Sequence, residues 1–391
     1  MNAPIPTKPR SIEVADLVRF DALVEAGATS MHGWHLQSLE LRGRTAALAR
    51  MEAAGAVFLG CSFAAGAESD LRSRGALIFP FLPGVPFDSY RGRLYTGAEL
   101  YAGVKTSTYE QTLDARVYQW TLRAGAHPGL DATLATAMHD HAIGSALDEL
   151  LGNTLPGTST AARGGLAGRK LVGVMGGHAA VRGSKEYDDA ARLGRLLARS
   201  GFVVTTGGGP GAMEAGNLGA YLSAHDVGAL DGALASLAAV PRFRPSVSRW
   251  AAAALAVVDR YPRGTANLGI PTWFYGHEPP NVFATGIAKF FANSIREAVL
   301  LSRCTGGIVF LPGAAGTVQE IFQDACENYY AAPEAVAPMI LVGQEYWEKT
   351  LPVWPLLQRL AKGRGMEGHL HLVETPDDAL AVLRRPVGPG L

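Results

Sequence analysis

The sequence predicts an α/β protein: a Rossmann-like, doubly wound parallel sheet with helices on both faces, preceded by an N-terminal α/β or α+β domain. Three observations carry this expectation. From Leu171 onward, short β-branched apolar runs alternate with segments of helical periodicity, the pattern of βαβ units. Two of those runs pass directly into glycine-rich loops and then into helices, at GGGPGAM (Gly207–Met213) and PGAAGTVQE (Pro312–Glu320). Ahead of them, LPGTSTAARGGLAGRK (Leu155–Lys170) is rich in Gly, Ser, Thr and Ala and lacks apolar periodicity, so it reads as a linker. The expected division is an accessory domain over 1–160, a Rossmann-like α/β domain over 161–385 and a disordered tail over 386–391.

In the first half, GRTAALARMEAAG (Gly43–Gly55) has helical character and AVFLGC (Ala56–Cys61) strand character. ALIFPFLPGVPF (Ala76–Phe87) is apolar, but its prolines cannot donate to a ladder, which confines it to an edge strand or a loop. Asp131–Gly152 is a helix closed by Gly152. In the second half, LVGVMGG (Leu171–Gly177) is a strand stopped by glycines. Lys185–Gly201 is a helix with Gly201 as its C-cap signal, and FVVTT (Phe202–Thr206) is the next strand. A helix over Ala212–Ser223, a strand at Thr272–Tyr275 and a long helix over Ile287–Arg303 follow. GGIVFLPG (Gly306–Gly313) is a buried strand, Thr317–Tyr330 a helix, and MILVG (Met339–Gly343) a strand. Glu345–Leu360 is helical with prolines at Pro352 and Pro355, LHLVET (Leu370–Thr375) the last strand, and Pro376–Leu383 the last helix. No repeat of fixed short period is visible.

Composition excludes several classes. Of the 391 residues, Lys plus Arg and Asp plus Glu each total 35, so the formal net charge is zero and broad electrostatic capture of nucleic acid is not expected. A small anionic ligand needs only a local site and remains open. Cys61, Cys304 and Cys326 are odd in number and never at C-x-x-C spacing, which predicts neither zinc site nor disulfide framework and fits a cytoplasmic protein. MNAPIPTKPRSIEV has no apolar h-region, so no signal peptide is expected. The longest apolar run, near Trp250–Val258, falls short of the ~20 residues that span a membrane. His139 and His141 of HDH stand at i and i+2, which a helix does not place on one face, so no metal site is expected there.

The first loop matches the dinucleotide fingerprint weakly, through Gly207, Gly209 and Ala212. An earlier strand precedes it and no strand ending in an acid follows about 20 residues on, both against that reading. The Walker pattern is absent. The second loop also leaves a strand and enters a helix, with Gly313 and Gly316 letting N–H groups at the helix start face an anion. The two loops would clasp one phosphate if their strands were neighbours at the switch point of the sheet.

The pair GGGPGAM and PGAAGTVQE resembles the two signatures of the Lonely Guy family, GGG-x-x-G-x-M and PGG-x-G-T-x-x-E, over roughly Leu171–Val342. That resemblance implies a Rossmann-like phosphoribohydrolase that releases the free base from a nucleoside 5′-monophosphate without metal or cofactor. It also implies a homodimer or higher homo-oligomer. A longer branch with an extra N-terminal domain accommodates the length. Two positions depart from the pattern. Ala314 replaces the middle glycine of PGG, at a cost of the order of 1 kcal/mol if φ there is positive. REAVL (Arg296–Leu300) stands for R-K-x-x-M, with Glu297 in place of the lysine and Leu300 in place of the methionine.

Cleaving an N-glycosidic bond builds cationic character on the ribose. The resemblance assigns Glu320 as the carboxylate that stabilises it and Arg296 as its partner or a phosphate contact. Thr317-Val318-Gln319-Glu320 is also a capping box, in which Glu320 would serve its own helix. Arg296 could equally belong to a solvated stripe with Lys289 and Arg303, seven residues away on either side. Gly207, Gly208, Gly209 and Gly211 are expected at the phosphate, with Met213, Gly313, Ala314, Gly316 and Thr317. Gly176 and Gly177 are expected to border the nucleotide. Glu214 and Asn217 could reach ribose or base, or merely open a surface helix. Ile270–Asn281, aromatic and proline-rich, could line a base pocket or close the core. The competing expectation is a binding module, since proteins of this fold also include a carrier of a phosphate-bearing pterin. A pyridoxal-phosphate decarboxylase is not expected, because no Ser-x-His-Lys type site is present.

Overall fold

The computed structural model describes residues 11–125, 128–152, 165–274 and 278–384. Most of the expected linker, Tyr275 and the tail 386–391 lie outside the described residues. The chain forms two compact units, Met1–Leu94 with Leu122–Gly168, and Tyr95–Thr121 with Arg169–Leu391. A single boundary near residue 160 therefore does not describe the division, because the segment Tyr95–Thr121 belongs with the second unit.

The first unit carries four parallel strands in chain order: β1 (Ile12–Val14), β2 (Trp34–Gln37), β3 (Val57–Leu59) and β4 (Leu77–Phe79). Its core gathers Phe20, Trp34, Leu36, Phe58, Leu71 and Ile78. β4 ends the sheet with Leu77 and Phe79 exposed on either side of buried Ile78. The helical character of Gly43–Gly55 is realised only at Arg42–Arg44 and Thr45–Arg50, because Met51 turns extended. One stack repeats along the ladder: Ile12 N–H donates to Gly33 O, Gly33 N–H to Gly55 O, and Gly55 N–H to Gly75 O. Its spacing of 22 and then 20 residues is uneven, which keeps it from reading as a fixed period. The long helix is Leu130–Leu150, with His139 and Asp140 of HDH both buried in it.

The second unit has seven parallel strands: β5 (Leu171–Met175), β6 (Val203–Thr206), β7 (Leu268–Gly269), β8 (Gly286–Ile287), β9 (Ile308–Phe310), β10 (Met339–Val342) and β11 (Leu370–Val373). Their order is β11-β10-β9-β5-β6-β7-β8, so the winding reverses between β5 and β9, the crevice where open α/β sheets bind ligands. Thr272 makes only an isolated bridge to Phe290 rather than the expected strand; the strand lies just before it, at β7. The expected helix over Ile287–Arg303 divides, with Ile287 in β8 and the helix starting at Asn293 (Asn293–Arg303). Helices at Val227–Ala238 and Val247–Arg260 occupy stretches to which the sequence pattern assigned no element. Glu345–Leu360 breaks at Pro352 into Tyr346–Thr350 and Trp354–Ala361. Among the described residues no helix is long and apolar enough to cross a membrane.

Two features hold this unit together where the site is built. The helices Lys185–Arg199 and Ala212–Tyr221 pack backbone against backbone through glycines. A Cβ at Gly219 would lie 1.7 Å from the carbonyl oxygen of Ala191, and one at Gly194 would lie 2.1 Å from that of Gly216. Gly219→Ala forces the helices apart and is expected to cost about 3 kcal/mol, read as a lower urea midpoint at unchanged m. The segment Tyr95–Thr121 is the second feature. Tyr95 pairs antiparallel with Ile287, and the Tyr101 hydroxyl donates to Pro280 O at 2.6 Å. Asp114, fully buried, accepts from Lys289 Nζ (2.5 Å), Trp273 Nε1 (3.1 Å) and the Tyr109 hydroxyl (2.5 Å). Lys289 is buried too, its ammonium 4.8 Å from the centre of the Trp273 ring.

Candidate functional site

β5 lies between β6 and β9, so the two glycine loops do not leave adjoining strands, as the clasp read from the sequence required. The turn after β5 joins them instead. Gly177 N–H donates to Pro312 O (3.2 Å) on one side, and Gly177 O accepts from Ala212 N–H (3.2 Å) on the other. All three loops line one cavity of about 860 Å³.

The loop after β6 is braced from below. Thr206 Oγ1 accepts from Gly208 N–H (2.9 Å) and donates to Asn217 Oδ1 (2.7 Å). Asn217 donates to Asn267 Oδ1 and Leu268 O, and Asn281 donates to Gly209 O and Asn217 Oδ1. Gly208 takes φ +73°, and a Cβ there would meet Pro271 Cδ at 2.7 Å, so only glycine fits this turn. Gly207, Gly209 and Met213 reach the cavity, whereas Gly208 and Gly211 shape the turn beneath it. Asn217 is fully buried in this network and Glu214 in another, where Arg182 grips both its oxygens at 2.5 and 3.1 Å. Neither lines the cavity, so the expected contacts of Glu214 and Asn217 with ribose or base are not formed by this geometry. Arg182, which lies 4.6 Å from the centre of the Trp250 ring, carries no spacing signal that would reveal its role.

The loop after β9 opens the helix Ala315–Tyr330. Its N-cap is Ala314 at φ −98°, so alanine carries no left-handed penalty there. No side chain caps the helix. The capping box is therefore not formed: the helix starts two residues before Thr317, placing Glu320 in its second turn. The first-turn N–H groups of Ala315, Gly316 and Thr317 have no intrahelical partner by position and stand at the positive end of the helix dipole. Gly313, Ala314, Ala315, Gly316 and Thr317 all line the cavity, as do Gly176 and Gly177.

Glu320 turns to Arg296 instead. Arg296 Nη1 lies 3.3 Å from Glu320 Oε1, with the two side chains only 9% and 12% exposed. Arg296 Nε and Nη2 donate to Asn293 Oδ1 at 3.2 and 2.9 Å, so the guanidinium belongs to no solvated stripe. Lys289 precedes the helix altogether. Glu297 faces the same pocket. It accepts from Asn293 Nδ2 (2.7 Å), Gln319 Nε2 (2.6 Å) and more distantly Arg296 Nη2 (3.5 Å). Burial pushes the Glu320 carboxyl up to about 7, against the pull of Arg296 and with help from Glu297 and Glu278.

Glu186, Asp189, Glu278 and Glu374 also line the cavity, and Arg296 and His178 are its only basic residues among those described. His178 Nδ1 sits 3.4 Å from Glu278. The cavity thus offers an anion backbone N–H groups at a helix start rather than a basic cluster. Within Ile270–Asn281, Pro271, Thr272 and Glu278 line the cavity, while Trp273 stacks on Phe291 at 4.6 Å. Asn293, Gln319 and Glu278 are residues that the sequence pattern did not single out. Among the described residues no group of three His, Cys, Asp or Glu is placed to hold a metal.

Residues 169–233 match the family model described as the SLOG cluster4 family, the stretch that contains β5, β6 and the GGGPGAM loop. No curated protein matches the chain in sequence. Among solved structures, the molybdenum cofactor binding protein of Rippkaea orientalis aligns at 16% identity over 55% of this chain and 96% of its own, with a TM-score of 0.33. The molybdenum cofactor carrier protein of Chlamydomonas reinhardtii aligns at 17% identity over 55% and 96%, with a TM-score of 0.34.

Proposed function

We propose that the protein hydrolyses the N-glycosidic bond of a nucleoside 5′-monophosphate, yielding free base and ribose 5-phosphate. The observation that carries this reading is the Arg296–Glu320 pair, set in the wall of the same cavity as an uncapped helix N-terminus. The cavity volume suits a small-molecule ligand. The phosphate sits against the N–H groups of Ala315–Thr317, which supplies orientation and binding energy remote from the reacting carbon. Glu320 faces the sugar. Its carboxylate stabilises the positive charge that develops as the C1′–N bond breaks, and accepts a proton from the water that adds to C1′. A carboxyl that titrates near neutrality can take that proton and return it to the departing base. Arg296, fixed by Asn293, keeps Glu320 aimed and partly compensates its charge. The same reading implies a cytoplasmic homodimer or higher homo-oligomer.

Incubation with a panel of nucleoside monophosphates and detection of free base by chromatography tests the reading. The expected result is base release from at least one of them, together with a melting temperature raised by that nucleotide. Binding without release across the panel would assign a carrier role instead. Neither binding nor release would end the nucleotide reading.

A further inference from the structure

Arg296 and Glu320 are one of two rungs between the same pair of helices. Arg296 reaches Glu320, and the residue after the one and before the other form the second rung, Glu297 Oε2 accepting from Gln319 Nε2 at 2.6 Å. Glu297 is 5% exposed, and its other oxygen holds Asn293 Nδ2 at 2.7 Å, the amide whose oxygen receives two guanidinium donors of Arg296. Arg296 is thus held by Asn293, Glu297 and Glu320 where it borders the cavity.

We propose that Glu297 is a positioning residue: by fixing Asn293, Arg296 and Gln319 it sets where the Glu320 carboxylate sits and which charges it faces. This rests on the reading of Glu320 as the working carboxylate. Two acids share one guanidinium, so the negative charge of Glu297 competes for Arg296 and repels a charge on Glu320. The groups facing Glu320 are Arg296 and Glu297 from the helix Asn293–Arg303, Glu278 from the loop after β7, and Cys304 at the end of that helix. Asp324 stands one turn further along Glu320's own helix. Removing the charge at Glu297 leaves Glu320 as the one acid on Arg296, beside the Asn293 oxygen, and favours the ionised carboxylate.

The test is the titration of Glu320 in the ligand-free protein, followed by carbon NMR of side-chain-labelled glutamate, with Glu320→Gln identifying the signal. Glu297→Gln keeps the size of the side chain and is expected to move the Glu320 midpoint down from its neutral position by a pH unit or so. With a nucleotide that the protein cleaves, the same variant should shift the acidic limb of the kcat profile in the same direction. It should lower kcat about tenfold with little change in KM, and Glu297→Ala should lower kcat further. An unmoved Glu320 midpoint in Glu297→Gln overturns the proposal, as does an Ala variant with parental kcat and pH profile. The titration needs no substrate, so absence of turnover would sink the hydrolase reading and leave this inference to be judged on its own. Should Glu297→Ala fail to fold, Glu297→Gln alone decides.

Discussion

Glu320→Gln is expected to abolish base release by about 10³-fold while leaving nucleotide affinity within a few-fold of the parent. The amide keeps the shape of the side chain and a contact to Arg296 but can neither carry the negative charge nor take a proton. The backbone N–H groups of Ala315–Thr317, proposed to meet the phosphate, are untouched. The same substitution has a stability signature of the opposite sense. The Glu320 carboxyl titrates at about 7 in the folded protein against 4.5 ordinarily, so its contribution to stability is fully present below pH 4.5 and is lost as pH rises toward 7. The loss is of the order of 3 kcal/mol and constant at higher pH. Glu320→Gln removes that dependence. The variant should therefore be more stable than the parent at pH 8 and alike at pH 4, as urea unfolding at the two pH values would show. A variant less stable at pH 8 and still active contradicts both statements.

Lys289→Met is expected to destabilise the second unit by about 3–5 kcal/mol. Its ammonium is the charged partner of Asp114, and both side chains are only 2% exposed. Without it, the Asp114 carboxylate stays buried with only Trp273 Nε1 and the Tyr109 hydroxyl as donors. Burial already holds the Lys289 ammonium below its ordinary value, against the pull of Asp114. Replacing both residues, Lys289→Met with Asp114→Leu, is expected to recover much of the loss, since an apolar pair leaves no charge uncompensated. Urea denaturation of the two single variants and the double one measures the coupling, and additive losses would deny it.

The parts of the fold that were legible are those in which local pattern and tertiary role agree. β5, β9 and β10 are apolar and buried along their whole length, and such runs stand out from their polar surroundings; β6 adds two buried threonines, and β11 is a half-buried edge strand. β7 and β8, two residues each, hold too little sequence to show a period, and β8 was absorbed into the helix beyond it. The glycine loops were legible through composition. The neighbour relation of their strands was not, since chain order does not reveal that β9 joins the sheet on the far side of β5. Glu320 and Arg296 were found by motif. Glu297 showed only as a departure from the motif, and Gln319 and Asn293 not at all, because the significance of all three is a hydrogen-bond geometry between two helices. Glu214 and Asn217 looked like site residues because they follow the loop at helical spacing, yet their helix turns that face into the core.

The Lys289–Asp114 pair also sets a timetable for synthesis. The two residues are 175 positions apart, and Asp114 leaves the ribosome first. At about 5–20 residues per second, some 10–35 seconds pass before Lys289, Trp273 and Ile287 follow. Throughout that interval Tyr95–Thr121 lacks its sheet edge and its counter-charge, and of the three donors to Asp114 only the Tyr109 hydroxyl has been synthesised. A nascent chain arrested before residue 289 should accordingly be cut by protease within this segment, whereas the released protein should resist.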